Sequence, residues 1–207
     1  MMKLYWSPRS RSFSALWLME ETGVAYERVL TDITTGAQKT LEFLTVNPMG
    51  KVPALQDGEA TMAEAAAICA YVAERYPEAK LAPPLGDVHR AKYLYWLFFA
   101  PSCIEPAMVQ LATKIEMNSV AAGWGDAQRV FDVLESALEE GPWILGERFS
   151  AAEKLSPSSH GPFCKHTSST SNTRCASPQP ADIGFISILV ASCTIAGSTQ
   201  PGPKNSQ

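Results

Sequence analysis

The first 32 residues of the chain contain the pattern that most restricts its fold. Residues 3–7, KLYWS, have bulky side chains in an alternating pattern, which is typical of a β-strand. In residues 11–22, mainly apolar side chains recur at the three- and four-residue spacing of one helix face, and Gly23 is a helix stop. Residues 25–32 again have strand composition, so a βαβ unit with parallel strands is predicted. The predicted helix face consists of Phe13, Leu16, Trp17, Met19 and Glu20.

A hairpin and a second helix complete the first structural unit. Residues 41–49 are a short helical segment that ends at Asn47-Pro48. Residues 52–63 contain two strands around Asp57-Gly58, a dipeptide that strongly favours a β-hairpin. The alanine-rich helix that follows ends at Pro77. The order βαβ, α, ββα predicts an α/β domain with a mixed sheet over residues 1–77.

The chain then changes to an all-helical pattern. Residues 78–86 are rich in proline and glycine and are predicted to be a linker. A long helical pattern follows, bent or broken around Pro101 and Pro106, because proline cannot donate the helical hydrogen bond. An amphipathic helix ends at Gly141. An all-α domain is therefore predicted over residues 87–153.

The composition changes abruptly after Glu153. Ser150 and Glu153 fit a capping box, in which Ser150 accepts from the backbone N–H of residue 153, so a helix should begin here. Instead, serine, threonine, proline, glycine or asparagine occupies sixteen of the 29 positions from 154 to 182. Such a segment cannot bury enough apolar surface to offset the entropy of ordering it. Residues 154–207 are therefore predicted to be a disordered or frameshifted tail.

The charge of the chain excludes some classes of function. A net charge of −4 and a pI near 5.4 argue against general binding to nucleic acids or anionic membranes. The apolar segment 183–196 is too short for a confident membrane span, and the N-terminus lacks the apolar region of a secretory signal. We therefore expect a cytoplasmic protein.

The cysteines are odd in number, irregularly spaced and without a CxxC motif, which indicates reduced thiols. The nearest approach to a zinc cluster has ligand spacings that match no standard finger, so no metal site is predicted. The cysteines are Cys69, Cys103, Cys164, Cys175 and Cys193, and the cluster is His160, Cys164, His166 and Cys175.

Three local features could bind a ligand, although each also has an ordinary structural explanation. A proline at position 53 that enters a strand is either an ordinary trans proline or a cis proline that turns the backbone of Val52 outward. Ser10 and Ser12 lie where the first strand gives way to the first helix; they either cap that helix or donate a hydrogen bond to a thiolate. A third possibility for this segment is an anion-binding basic patch formed by Arg9 and Arg11. Glu64 opens the helix after the hairpin. Its carboxylate either interacts favourably with the positive end of the helix dipole or binds an ammonium group of a ligand.

These features occur in the order found in one family. The segments KLYWSPRSRSFSALWLMEE, NPMGKVPAL, MAEAAAICAYVAERYP and PWILGERFSAAE together resemble a cytosolic glutathione S-transferase, most closely the bacterial-type members. The resemblance covers residues 2–153. It implies a thioredoxin-like N-terminal domain, a helical C-terminal domain that is incomplete here, glutathione as co-substrate and a homodimer.

The resemblance also implies a role for each matching residue. Pro53 would be a cis proline, and the backbone of Val52 would pair with the cysteinyl part of glutathione. Ser10 matches the serine that activates the thiol, with Ser12 and Arg11 as alternatives, and Arg11 stands where other bacterial classes have cysteine. The remaining contacts would be made by Glu64 and Ala65 to the γ-glutamyl end, and by Gln38 and Lys51 near the glycyl carboxylate.

The chemistry implied is attack by the glutathione thiolate on an electrophilic carbon of an apolar substrate. That substrate would contact Tyr93, Trp96, Phe99 and Met108, although we expect at least half of these residues to be helix-bundle core instead. Two positions depart from the family pattern: Ala65 replaces a serine, and Glu153 replaces an aspartate that is common there. Nothing after Glu153 resembles the helices that follow in the family.

Other functions are compatible with the same residues. The scaffold also suits a glutathione-dependent isomerase, dehalogenase or disulfide reductase, and Arg11 near the thiol could favour an acidic substrate. The unusual tail also allows an unstable, non-catalytic product or a binding module that only recruits partners.

Overall fold

A four-stranded mixed sheet forms the centre of the N-terminal half of the computed structural model, which describes residues 1–155. The sheet has the order β2-β1-β3-β4; β1 and β2 are parallel, and β3 pairs antiparallel with β1 and β4. The predicted mixed sheet is confirmed, and it has the thioredoxin-like arrangement that the resemblance implies. The strands are β1 (Lys3–Trp6), β2 (Glu27–Leu30), β3 (Ala54–Asp57) and β4 (Ala60–Ala63).

The crossover helix α1 (Ser12–Thr22) connects the two parallel strands. It ends at Gly23 as predicted, because this residue has φ +68° and its N–H donates to the Glu20 carbonyl at 3.1 Å. The predicted inward face is wrong in part: Phe13 is 50% exposed and Glu20 is exposed, whereas Ala15 and Leu18 are fully buried. The helix packs its smaller side chains against the sheet and against the helix that follows the hairpin.

The hairpin and its two flanking helices build the rest of the sheet domain. Helix α2 (Leu41–Val46) begins where the Thr40 hydroxyl accepts from the Phe43 N–H at 3.3 Å. The predicted hairpin turn between β3 and β4 is confirmed, with Gly58 at φ +62°. Helix α3 (Ala65–Arg75) packs on α1 and on the sheet through Ala66, Ile68, Cys69, Val72 and Ala73.

The helical half contains the predicted interruption at proline. Helix α4 (His89–Phe99) continues through a π-helical segment (Ala100–Ile104) into α5 (Glu105–Thr113). Pro101 has no N–H for the helical ladder, and the wider turn accommodates that loss. Helix α6 (Ala127–Glu139) is capped by the Asp126 carboxylate, which accepts from the Arg129 N–H at 2.9 Å. The sequence predicts an inward face of Val130, Val133, Leu134, Ala137 and Leu138. Val130, Leu134 and Ala137 are buried, and Val133 and Leu138 are partly buried.

The predicted helix start at Ser150 begins a short 3-10 helix (Ala151–Lys154). The Ser150 hydroxyl accepts from the Ala152 N–H at 3.3 Å, one residue earlier than the predicted capping box. The Glu153 carboxylate is 2% exposed and accepts from the Ile144 N–H at 2.8 Å. This turn contacts α1, α3 and α4, so it is buried between the two halves of the chain.

One hydrophobic core runs through both halves. It includes Leu4 and Ile68 of the sheet domain and Leu97 and Leu134 of the helical region. Leu81, within the predicted linker, is 3% exposed, and its carbonyl accepts from the Ala151 N–H at 2.7 Å. Among residues 1–155, no helix has both the length and the apolar character needed to cross a membrane. The segment 183–196 lies outside the described residues.

Candidate active site

A cleft of about 210 Å³ opens where the sheet domain meets the helical region. Three elements of the sheet domain contribute to it: the start of α1, the loop before β3 and the start of α3. The helical region contributes the π-helical segment, the start of α5 and the end of the described chain. The residues lining the cleft are Arg11, Asn47, Lys51, Val52, Pro53, Glu64, Ala65, Ala66, Pro101, Glu105 and Leu155.

A tight turn precedes β3 and leads to Val52, which lines this cleft. The buried Asn47 holds the turn, because its side chain donates to the Lys51 carbonyl at 2.7 Å and accepts from the Met49 N–H at 3.1 Å. Gly50 has φ +62°, and a Cβ atom there would lie 3.1 Å from the Gln38 carbonyl oxygen, so this position requires glycine.

The peptide bond between Val52 and Pro53 is cis, in agreement with what the resemblance implies. Within residues 1–155, the Val52 N–H and C=O form no hydrogen bond. Val52 also lines the cleft. Both of its backbone groups are therefore available to an extended peptide ligand.

Ser10 and Ser12 belong to one hydrogen-bonded cluster with Ser7. The Ser12 hydroxyl is fully buried; it accepts from the Ser7 N–H at 2.9 Å and donates to the Ser7 carbonyl at 3.0 Å. The Ser10 hydroxyl is only partly buried and lies 2.8 Å from the Ser7 carbonyl and 2.6 Å from the Ser12 hydroxyl. Ser10 is thus the more accessible of the two hydroxyls.

Arg11 forms an ion pair with Glu105 from the opposite wall of the cleft. Its Nη2 atom donates to the Glu105 carboxylate, whereas its Nε atom is buried and has no hydrogen-bond partner within the described part of the chain. Sequence reasoning missed Glu105, since nothing local indicates that a carboxylate 94 residues away meets Arg11.

Glu64 immediately precedes α3 in an unusual backbone conformation. Its φ is +69° and its ψ is +117°, a region that side-chain-bearing residues rarely adopt. Such conformations cost about 1–3 kcal/mol each and concentrate at functional sites. The side chain is exposed on the cleft, next to Ala65, whose methyl group stands where the family usually has a hydroxyl.

The remaining predicted contact residues do not line the cleft, and neither do Ser10 and Ser12. Gln38 is in a 3-10 helix (Ala37–Lys39) outside the cleft lining, and its Oε1 atom is buried with no partner among residues 1–155. Tyr93, Trp96 and Met108 belong to the buried core, and Phe99 packs against it. Contact of these four residues with a second substrate remains a prediction.

Two perturbed groups near the site stay protonated at neutral pH. Burial raises the pKa of the Tyr93 hydroxyl and also that of the Cys103 thiol. Because the thiolate is the reactive form of cysteine, Cys103 is a poor nucleophile here. Among residues 1–155, no group of three or more histidine, cysteine, aspartate or glutamate side chains could hold a metal ion. The cluster from His160 to Cys175 lies outside that range.

An apolar groove of about 330 Å³ adjoins the cleft. Both share Pro101 and Glu105, so Glu105 marks their junction. Two residues that line the groove are joined by a hydrogen bond from the Trp124 indole N–H to the Gln110 side chain at 3.0 Å. The other residues lining the groove are Pro106, Val109, Thr113, Ile115 and Met117.

Comparisons with known proteins identify the family of this chain. The family model for the glutathione S-transferase N-terminal domain matches residues 1–74. A zeta-class glutathione S-transferase from Euphorbia esula is 31% identical over 166 residues, which are 78% of this chain and 67% of the relative. A disulfide-bond oxidoreductase, YfcG from Escherichia coli, is 29% identical over 166 residues, or 74% of this chain and 76% of the relative.

Solved structures show the same relationship. A glutathione transferase from Methylococcus capsulatus is 32% identical, with a TM-score of 0.63 over 75% of this chain and 78% of that protein. A sphingomonad glutathione S-transferase complexed with glutathione is 32% identical, with a TM-score of 0.61 over 74% of this chain and 78% of that protein. These relatives, together with the matching sheet, show that the chain belongs to the glutathione S-transferase family.

Proposed function

We propose that this protein binds glutathione in the cleft and activates its thiol for attack on an apolar electrophile. The observation that supports the proposal is a cleft lined by Val52, whose backbone N–H and C=O form no hydrogen bond within residues 1–155, and by two oppositely charged residues, Lys51 and Glu64. Glutathione is an extended peptide with an ammonium group at one end, a carboxylate at the other and a thiol between them. The cleft therefore contains groups that are complementary to glutathione.

Each end of glutathione has a candidate partner. Glu64 would accept hydrogen bonds from the γ-glutamyl ammonium group, and Lys51, with Gln38 nearby, would bind the glycyl carboxylate. The Val52 N–H and C=O would pair with the cysteinyl backbone as neighbouring strands do. Ala65 can offer only its backbone N–H, which lies in the first turn of α3.

The reaction requires a thiolate. In this proposal the Ser10 hydroxyl turns away from the Ser7 carbonyl and donates to the glutathione sulfur, which lowers the thiol pKa from its reference of about 8.5. The proton goes to solvent, the sulfur forms a bond to the electrophilic carbon, and the leaving group departs with its bonding electrons. The electrophile would occupy the apolar groove next to the cleft, which is lined by none of the four residues predicted for this substrate. A substrate bound there would exclude water from the reacting atoms.

Glutathione titration calorimetry on the full-length chain tests binding, and conjugation of 1-chloro-2,4-dinitrobenzene tests catalysis. Replacing Glu64 by glutamine should weaken glutathione binding about 10-fold, since a charge-assisted hydrogen bond is lost. The matched control is Glu59→Gln, at the exposed hairpin tip. A folded chain that binds no glutathione would reject the transferase and leave a binding module.

The Ser10 role has its own test. Ser10→Ala should lower kcat/KM about 100-fold, the effect of losing one donor to a developing anion, and shift the pH–rate midpoint upward. Ser136→Ala, an exposed serine on α6, is the control. An unchanged pH–rate profile would remove Ser10 from the mechanism.

Disulfide reduction is the second candidate reaction, because one relative is named a disulfide-bond oxidoreductase. Isomerase and dehalogenase activities would use the same bound thiolate. A panel of disulfide, halogenated and isomerisable substrates separates these reactions, and the largest kcat/KM identifies the class. Cys69 and Cys103 are thiols rather than disulfides, which suits the cytoplasm as the proposed location.

A homodimer is proposed as the assembly. Leu94, Tyr95 and Phe98 lie on one face of α4 and are 36%, 52% and 50% exposed. Three large apolar side chains together on a surface favour an interface with another protein surface. The family resemblance makes a second copy of this chain the expected partner.

A further inference from the structure

We infer that Arg11 is a specificity-determining residue that binds an anionic group, such as a carboxylate, on the second substrate. This inference rests on the proposed function, because the substrate would receive the glutathione sulfur. The chemical class is thus an electrophile with an apolar body and a negatively charged substituent, rather than a wholly apolar one.

Arg11 lies where the two substrates would meet. It lines the cleft, and its guanidinium contacts Glu105, which lines both the cleft and the apolar groove. A substrate that fills the groove next to a bound thiol must therefore approach the Arg11–Glu105 ion pair.

The guanidinium keeps donors for a ligand while it is held by Glu105. Arginine carries five N–H donors in a planar fork, and within residues 1–155 only Nη2 of Arg11 has a hydrogen-bond acceptor. Its Nε–H is buried without an acceptor among residues 1–155, which is costly. The side chain is 30% exposed, so a ligand can reach the guanidinium. A ligand oxygen would supply the missing acceptors.

The groove itself suits an apolar body, and no cationic side chain lines it; its charged lining residue is Glu105, which is paired with Arg11. Its walls are mainly Pro106, Val109, Ile115, Met117 and Trp124. Lys51 lies in the cleft, where the glycyl carboxylate of glutathione would use it. An anionic substituent that reaches the junction of groove and cleft therefore has Arg11, a cleft residue, as its available partner, with the fork geometry that favours carboxylates.

The test compares two electrophiles that differ in one charged group, 4-chloro-3,5-dinitrobenzoate and 4-chloro-3,5-dinitrobenzamide. In both, the glutathione sulfur bonds to the chlorine-bearing carbon, chloride leaves with the bonding electrons, and the thiol proton goes to solvent. Each kcat/KM is divided by the rate constant of the uncatalysed reaction with glutathione, which removes the difference in intrinsic reactivity.

The wild-type protein should prefer the benzoate about 10-fold, and Arg11→Gln should reduce this preference to near unity, as expected for loss of a charge-assisted hydrogen bond. Arg11→Lys keeps the positive charge but loses the planar guanidinium that can donate two parallel hydrogen bonds, so it should retain part of the preference. The control is Arg28→Gln. Arg28 lies on β2, is paired with Glu20 and does not line the cleft, so the preference for the benzoate should not change.

Inhibition of the wild-type protein by unreactive analogues tests the same inference without a substitution. The unreactive 3,5-dinitrobenzoate should inhibit conjugation of a neutral electrophile about 10-fold more strongly than 3,5-dinitrobenzamide. Equal inhibition, or conjugation of both chlorides with no preference for the benzoate, overturns the inference and leaves the proposed function intact. Absence of glutathione binding and of all conjugation overturns both.

Discussion

At the scale of single residues, Ser10 and Ser12 illustrate how neighbouring hydroxyls acquire different surroundings. They are two positions apart and share a hydrogen-bonded cluster, yet Ser12 is fully buried and Ser10 is partly exposed. Ser12 bonds both backbone groups of Ser7, so it stabilises the turn between β1 and α1. Ser10 can exchange its partner for a ligand.

Ser12→Ala should therefore be mainly a stability variant. Loss of its hydroxyl leaves the buried Ser7 N–H without its acceptor, and the free energy of unfolding should fall by about 1–3 kcal/mol. Urea denaturation of Ser12→Ala beside Ser10→Ala measures the difference. Equal losses in the two variants would contradict the structural role assigned to Ser12.

Asn47 shows what a sequence pattern leaves out at this scale. Its position before proline indicates a helix end, which is correct, since α2 stops at Val46. Its more important contacts, to the backbone of Lys51 and Met49, shape the turn that presents Val52. Asparagine at the start of a loop commonly forms hydrogen bonds to nearby backbone groups, so Asn47 itself was the sequence feature that could have indicated this turn.

At the scale of elements, the turn that follows Ser150 connects parts of the chain that are distant in sequence. Its Ala151 and Ala152 are fully buried, and Glu153 accepts from the backbone of Ile144. The alanines allow close packing against α1, α3 and α4. The element is short, but it joins the sheet domain to the helical region.

Glu153→Ala should lower the free energy of unfolding by about 1–3 kcal/mol, because the Ile144 N–H is buried and would lose its acceptor. Glu153→Gln keeps an acceptor oxygen at nearly the same place and should lose less. Thermal and urea unfolding of both variants give the comparison. If the glutamine variant is as unstable as the alanine variant, the hydrogen bond is not the source of the stabilisation.

The α4–α5 region shows what proline determines and what it leaves open. Pro101 and Pro106 predict an interruption, because each lacks a backbone donor. Pro106 lies in the first turn of α5 and Pro101 in the π-helical segment, so both prolines are at the interruption between α4 and α5. The pattern could not specify a π turn, since that choice depends on packing of Ala100 and Ile104 in the core.

At the scale of the whole molecule, the exposed face of α4 predicts the assembly state. Sedimentation velocity should show a dimer, and Phe98→Glu should shift it to a monomer, because a charge would be buried in the interface. Phe13→Glu is the matched control: Phe13 has the same 50% exposure but lies on α1. A wild-type monomer, or equal effects of both variants, would contradict this interface.

The sequence by itself determined the order of helices and strands, the helix end at Gly23 and the hairpin at Asp57-Gly58. These features depend on local backbone preferences and on the periodicity of apolar residues, which a single segment contains. The family resemblance added the ligand and the cis proline. The contacts proposed for Lys51, Val52 and Glu64 come from the same short motifs.

Only the tertiary structure decided which side of α1 is buried, that Leu81 belongs to the core, and that Arg11 meets Glu105 across the cleft. Each depends on surfaces brought together from distant segments, so no local pattern contains it. Helical spacing predicts one buried face of α1. Packing against α3 and against the turn after Ser150 decides which face is actually buried. The junction between cleft and groove is for the same reason a property of the folded chain.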